Sequence, residues 1–424
     1  MDTTVAEALA EPVRPVTLSF QILYGVAYAG AGIALFPVAG VLIPGQVTRI
    51  DSHSTASSLA LVLAVGASGA LIGNPLAGAL SDRTTSRFGR RRPWLLVGML
   101  GSAGGLALLA NSQQIWQLTL GWFLVQFFGN MLLSAYTSIL PDRVPVKQRG
   151  TTQAIVGLSS PVAIILSDLL FTRVRDFHAA YYPIIAVMIT LTILFLLLYR
   201  EARLPCEHLQ PFQLRSFLAS FWDRQRSFPG FTAVWFMWLL IWLGYSLGYG
   251  GFFYLYLKNI TRYESLFPGH AVQEGIATLQ MLQILVGVPV MMGAGILSDC
   301  AGQRKPFVRV GVLLIAAGLV LLAGFSNWTM ILVASVVIGA GFWVFYSLGL
   351  AMISQMLPSA SHRGKDLGVI NIAAVLPQII MPPIGAAIIN VIGVNAPTGY
   401  QIIFLASSAS LVAAVWLMRS IHKP

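Results

Sequence analysis

The sequence predicts an all-α membrane protein of twelve transmembrane helices, built as two six-helix pseudo-repeats with both termini in the cytoplasm. Three observations predict it. The 424 residues are 56% hydrophobic and only 10% charged, with a mean hydropathy of +0.76, whereas soluble domains carry roughly 25% charged residues. The apolar residues fall in runs of about 20, the length that crosses a bilayer as a helix, not in the alternating segments of about 10 that make a barrel. Two polar motifs recur in the second half at nearly one offset.

Lipid offers the backbone no hydrogen bonds, so runs of this length must be helical. They cover 17–41, 56–80, 93–111, 115–139, 150–171, 180–199, 231–257, 273–297, 306–325, 328–356, 366–390 and 399–418. Met1 to Val16 carries Asp2, Glu7 and Glu11 without an apolar core, which is no signal peptide, so the first run is expected to stay in the mature chain. The long interruption at 200–230 divides an N-terminal bundle, 1–199, from a C-terminal bundle, 231–424. Within it Leu214, Phe217, Leu218, Phe221 and Trp222 share one helical face. This predicts a short amphipathic helix on the inner membrane surface, a tether between the bundles.

Charge fixes the orientation. With the N-terminus inside, 21 of the 26 lysines and arginines fall in cytoplasmic segments, and only Arg49, Arg173, Arg175, Lys258 and Arg262 lie outside. The net charge of +11 is therefore topological; lipids, not nucleic acid, are the expected macroscopic partner. The two cysteines, Cys206 and Cys300, sit in cytoplasmic segments, where a structural disulfide is not expected. No cofactor and no metal are expected, and the spans contain no His–Asp or Cys–His cluster and no HExxH string, which speaks against a membrane enzyme.

The polar motifs define the repeat. Gly78-Ala-Leu-Ser-Asp82-Arg83 is echoed by Gly295-Ile-Leu-Ser-Asp299, an offset of 217. Leu140-Pro-Asp-Arg-Val-Pro-Val-Lys-Gln-Arg149-Gly150 is echoed by Leu357-Pro-Ser-Ala-Ser-His-Arg363-Gly364, an offset of 214 between the arginines. Parallel repeats of this kind are the architecture of transporters whose halves rock about a central site.

The string Gly-x-Leu-Ser-Asp-Arg followed by Gly89-Arg90-Arg91-Arg92 resembles the loop 2–3 signature of the major facilitator superfamily. The longer insert Thr84-Thr-Ser-Arg87-Phe88, and Asp366-Leu-Gly-Val-Ile-Asn371 with Leu376-Pro-Gln378 in span eleven, resemble its sucrose-transporter and glycoside-pentoside-hexuronide branch. The resemblance implies a monomeric carrier of a small molecule in the plasma (inner) membrane, working by alternating access. It also implies that Gly78, Asp82, Arg83, Arg87, Gly89, Arg90, Arg91 and Arg149, with Gly295, Asp299, Arg304 and Arg363, form paired cytoplasmic gates.

Physically, Asp82 ends span two at a helix C-terminus, which disfavours an anion, so a partner is expected. The candidates are Arg83, Arg87, Arg149 or the helix dipole of a span in the other half; the resemblance implies the last two. Arg90, Arg91 and Arg92 are expected to face anionic headgroups.

The resemblance places the cavity among spans one, four, seven and ten, and the residues there suit one. Span seven carries Trp235, Trp238, Trp242, Tyr245, Tyr249, Phe252 and Tyr256 at alternating steps of three and four. Gln21, Tyr24 and Tyr28 share a face of span one; Gln126, Asn130, Ser134 and Thr137 share one of span four. Trp343 and Tyr346 of span ten and Asn371 and Gln378 of span eleven complete the candidates. Polar groups in lipid must face a cavity or another helix, and both readings stand for Asn130; near the span ends, Trp235 and Tyr256 are read as packing. Rings with neutral amides and hydroxyls suit an uncharged polyol, whereas an anion would call for an intramembrane Arg or Lys.

For energetics, Asp168 in span five and Glu274 at the outer end of span eight are the candidate proton-coupling acids, with pairing of Asp168 to Arg173 or Arg175 as the structural alternative. The acid that sucrose-type relatives carry in span four aligns with Gln126. The reading is thus a sugar or glycoside carrier, with H⁺ as its coupling ion. An exporter of a hydrophobic or glycosylated metabolite and a non-transporting assembly or sensor protein are the other readings.

Overall fold

The computed structural model describes residues 12–35, 38–171, 176–199, 201, 229–356 and 363–420, without the side chains of residues 168, 170, 171, 229–231, 354–356, 363–369 and 420. The amphipathic segment 214–222, Cys206, Arg173 and Arg175 lie outside the described residues. Among those described, eleven helices are long and apolar enough to cross a membrane. The first span makes twelve, broken into two helices.

Most boundaries have a local cause. Span two is Thr55–Ser81, span three Arg92–Ala110, span four Ile115–Arg143 and span six Phe177–Leu198. Span five runs as Val146–Gly157 and Ser159–Phe171. In the second half span eight is Val272–Ala301, nine Lys305–Gly324, ten Trp328–Met356, eleven Arg363–Ile392 and twelve Pro397–Leu417. Prolines open spans three, nine and twelve within the first two positions, where the missing N–H costs nothing. Gly302, at φ +64°, stops span eight in the left-handed conformation.

Three spans differ from expectation, among them span five, expected as one run over 150–171 and divided at Leu158. Span one was expected as one helix over 17–41; it is Leu18–Gly32, then a π-helical turn Val38–Leu42 and a helix Ile43–Ile50. Its sequence explains the break, since Pro37, Gly40 and Pro44-Gly45 are poor helix formers. Span seven was expected unbroken over 231–257; it is Pro229–Tyr249 and Phe252–Asn259, separated at Gly250-Gly251. A Cβ at Gly250 would overlap the Ser246 carbonyl. The aromatic stripe of span seven therefore ends at Tyr249, and Phe252 and Tyr256 belong to a separate helix.

The chain divides into two compact units, Met1–Ile50 with Val65–Phe212, and Asp51–Ala64 with Gln213–Pro424. Within each unit the same close helix contact recurs. In the first, Cβ atoms at Gly98 and Gly105 of span three would meet Leu132 and Val125 of span four at 2.8 Å. In the second, Gly311 and Gly318 of span nine meet Phe345 and Ile338 of span ten in the same way. All four residues are displaced by 213, so small residues let backbones approach at equivalent places in both halves. The four-residue difference from the 217 offset of Asp82 and Asp299 is absorbed by the longer loop between spans two and three.

Candidate functional site

The charged loop of the first unit folds inward around Arg91. Gly89, at φ +99°, turns the chain where L side chains are strained, and a Cβ there would meet the Glu201 carboxylate at 2.6 Å. The next two residues present their guanidinium groups to span ends. Arg91 donates from Nη1 to Ser81 Oγ at 2.5 Å, pairs through Nη2 with Asp82 Oδ1 at 2.7 Å and through Nε with Asp142 Oδ2 at 2.8 Å, and donates its backbone N–H to Glu201 Oε2 at 2.8 Å. Arg90 pairs with Asp142 at 2.5 Å and stands 3.7 Å from Glu201. Arg92 donates to the Leu196 carbonyl at 2.6 Å. One arginine thus ties the cytoplasmic ends of spans two, four and six to the start of span three.

This corrects the expectation for the arginines. Arg91 is 4% exposed, so it cannot face headgroups; its desolvation is offset by two carboxylates and a hydroxyl. Burial acts against the Arg91 charge, but Asp142 and Asp82 outweigh it and raise its pKa. Asp82 takes as its partner Arg91, a residue outside the four candidates weighed from sequence. Burial, opposed by the Arg91 and Arg90 charges, holds the Glu201 carboxyl above the usual glutamate range.

The remaining motif residues cap helices. Arg83 donates to the Ala79 carbonyl at 2.7 Å, and Arg149 to the Val144 and Pro141 carbonyls at 3.1 and 3.2 Å, placing cations at helix C-termini where the dipole favours them. Arg87 lies over the Phe88 ring, 4.8 Å from its centroid. Among the described residues Gly78 has only an ordinary neighbour, Ser134 Oγ, 3.6 Å from where a Cβ would stand, and Gly295 has nothing within 4 Å. In the second unit Arg304 pairs with Asp299 at 3.5 Å. Arg304 is the counterpart of Arg91: both are N-cap residues, at φ −94°, ψ −31° and φ −95°, ψ −36°. Asp299 is 72% exposed, and position 359, which matches Asp142, is a serine. Arg363 opens span eleven; its side chain is not described.

The polar faces resolve into binding candidates and packing. In the first unit Tyr24 is buried and donates to the Tyr136 carbonyl at 2.7 Å, so its hydroxyl is taken up by helix packing. Tyr28 lies 3.5 Å from Thr137 Oγ1. Asn130 donates to the backbone and side-chain oxygens of Gln126 at 2.8 and 3.0 Å, which joins both to one helix. Gln21 is buried with no hydrogen bond to Oε1.

In the second unit Tyr245 stacks on Phe342 with centroids 4.6 Å apart, and Phe342 stacks on Tyr346 at 5.8 Å. Trp242 meets Tyr245 and Phe342 edge-on, and Tyr249 stacks on Phe253 at 4.4 Å. Trp343 is corrected to packing: it is buried, and its ring occupies the space a Cβ on Gly287 would need. Tyr256 is buried and donates to the Phe325 carbonyl at 3.1 Å. Asn371 is half-buried in span eleven, and Gln378 donates to the Ala374 carbonyl of its own helix at 3.2 Å.

Of the acids, Asp168 lies in span five with its side chain undescribed. Glu274 is an N-terminal cap: it accepts the Ala271 N–H at 3.3 Å and a contact from His270 Nδ1 at 2.6 Å. Among the described residues no group of three or more His, Cys, Asp or Glu is placed to hold a metal ion. Sequence reasoning passed over Asp142 and Glu201, and also Gln273, Gln280 and Gln283 of span eight. The glutamines carry a readable signal, since steps of seven and three put three amides on one face of an apolar span.

The family model described as Major Facilitator Superfamily matches residues 21–288 and 270–424. The chain belongs to the major facilitator superfamily. It is a multi-pass integral membrane transporter, not an enzyme. Among curated proteins, it is 61% identical over 41 residues to proton-associated sugar transporter A of Homo sapiens; the stretch is 10% of this chain and 6% of that protein's length. It is 30% identical over 171 residues to the class H tetracycline resistance protein of Pasteurella multocida, covering 39% of this chain and 41% of that one. Similar solved folds include a point mutant of the nucleoside transporter NupG (TM-score 0.73, 14% identity, 96% of this chain and 99% of that one) and the human organic anion transporter MFSD10 (TM-score 0.67, 18% identity, 94% and 98%).

Proposed function

We propose that the protein is a secondary active transporter of a small uncharged solute, a sugar or glycoside, moved across the plasma (inner) membrane by alternating access in symport with H⁺. The observation that carries this reading is the uncharged aromatic face of the second unit, Trp242, Tyr245 and Tyr249 with Phe342 and Tyr346. Ring faces stack on the C–H surface of a sugar, while the indole N–H and phenolic hydroxyls bond to its OH groups. The short match to a proton-associated sugar transporter supports the same class. Asp168 is proposed as the coupling acid, and the Arg91 network as the part of the cytoplasmic gate that holds spans two, three, four and six as one body while the halves rock.

A second reading, export of a hydrophobic or glycosylated metabolite, is favoured by the 171-residue match to a tetracycline resistance protein. Thermal shift of the purified protein against neutral sugars, aryl glycosides and apolar aromatic compounds separates the two. Stabilisation by free neutral sugars supports the first reading; stabilisation by apolar aromatic compounds alone supports the second and overturns the first.

A further inference from the structure

We propose that the Glu201 carboxyl is a proton-binding site on the cytoplasmic face of the first unit, which holds the turn between spans two and three while protonated and releases it when the proton leaves. Its consequence for transport rests on the gating role proposed above for the Arg91 network; the proton site itself does not depend on that reading.

Three observations carry it. First, the seat suits a neutral acid better than an anion. The Glu201 side chain is 8% exposed. Its Oε2 accepts the Arg91 backbone N–H at 2.8 Å, while Oε1 is buried with no hydrogen-bond partner among the described residues. An ionised carboxylate offers about four acceptor sites, and burying it with so few donors is costly.

Second, the neighbouring cations are already engaged. Arg90 Nη2 pairs with Asp142 Oδ1 at 2.5 Å, and its Nε stays 3.7 Å from Glu201 Oε1, outside hydrogen-bond reach. The Arg91 guanidinium is taken by Ser81, Asp82 and Asp142. Three carboxylates meet two guanidiniums, and the one that neither guanidinium hydrogen-bonds is also the most buried, at 8% against 16% for Asp142 and 59% for Asp82. The charged and titratable groups facing Glu201 are Arg90 and Arg91 at the start of span three, Asp142 at the end of span four and, on its own segment, Tyr199, on which Arg143 also acts; Arg200 lies outside the described residues. Burial, helped by Asp142 and opposed by Arg91 and Arg90, raises the Glu201 pKa. The seated carboxyl therefore holds its proton more tightly than the same carboxyl would in water.

Third, the carboxyl is built into the turn it controls. Gly89, at φ +99°, lets the two pack closely: a Cβ there would meet Glu201 Oε2 at 2.6 Å and Glu201 Cβ at 2.7 Å. The N–H that Oε2 accepts belongs to Arg91, whose side chain ties spans two and four. Moving Glu201 out to water undoes both contacts, and an anion gains far more from that move than a neutral acid does.

The test is hydrogen exchange of the peptide spanning Gly89 to Arg91 in the purified full chain, corrected for the intrinsic rate, at pH values on either side of neutrality, for wild type, Glu201→Gln and Glu201→Ala. In the wild type, exchange is expected to quicken roughly tenfold or more as the pH rises. Glu201→Gln, which keeps an acceptor and carries no charge, is expected to stay protected throughout, and Glu201→Ala to exchange fast throughout. A wild type whose protection does not change with pH, or a Glu201→Gln variant that keeps the wild-type change, would overturn the proton site and leave the transporter reading standing. Should Glu201→Ala fail to fold, wild type and Glu201→Gln still decide the point.

Discussion

Arg91 and Asp142 form a buried ion pair, Nε to Oδ2 at 2.8 Å, across 51 residues of sequence. In the second unit the place of Asp142 is taken by a serine, and Arg304 pairs only more loosely, at 3.5 Å, with Asp299, the 72% exposed counterpart of Asp82. Breaking a buried pair by removing one partner costs about 3–5 kcal/mol, whereas an exposed pair is worth about 0–1 kcal/mol. Arg91→Ala is therefore expected to lower the melting temperature of the purified protein strongly, and Arg304→Ala hardly at all. Arg91→Lys is expected to fall nearer to the alanine variant, because an ammonium cannot reproduce the fork that reaches Ser81, Asp82 and Asp142 together. Equal melting temperatures for the Arg91→Ala and Arg304→Ala variants would contradict the network.

Asp82 separates gating from stability. Its side chain is 59% exposed, so Asp82→Asn is expected to leave the melting temperature near wild type while slowing transport at equal surface level. An unchanged rate would remove Asp82 from the gate.

Two motif glycines are expected to behave oppositely. Gly89→Ala strains a positive φ and drives a Cβ into Glu201, at a cost of order 1–3 kcal/mol. Gly295→Ala adds a methyl group to open space in a helix and is expected to be neutral or stabilising by up to about 1 kcal/mol. Thermal unfolding of the two variants side by side checks this.

Glu201 gives the first unit a pH dependence. Burial raises its pKa, so the folded state holds the proton more tightly than the unfolded chain. Stability contributed by that proton is present at low pH and is lost as pH rises from the ordinary value of about 4.3 through the raised folded value. Glu201→Gln is expected to flatten the dependence of melting temperature on pH across that window. A wild-type slope in the variant would show that another group titrates there.

Much of the fold is legible because lipid leaves the backbone few choices. Apolar length, Pro93, Pro306 and the Gly302 stop are enough to place spans three, eight and nine. The break of span seven was written in Gly250-Gly251, but a regular three-four spacing of aromatics runs straight across it and hides it. The site is less legible for a reason of distance: nothing near Arg91 in sequence announces Asp142, or Glu201 110 residues away. The glutamines of span eight are visible as polar residues in an apolar run, yet only the packing shows that the Tyr249 hydroxyl stands against Gln283.

The central claim is that an uncharged solute is carried in symport with protons. Its most direct test is uptake of a labelled neutral glycoside into vesicles containing the purified protein under an inward pH gradient. The expected result is saturable, gradient-dependent accumulation that neutral sugars compete away, anions do not, and Asp168→Asn abolishes. Accumulation of a charged solute in place of the glycoside, or glycoside uptake that is indifferent to both the gradient and Asp168→Asn, would contradict it.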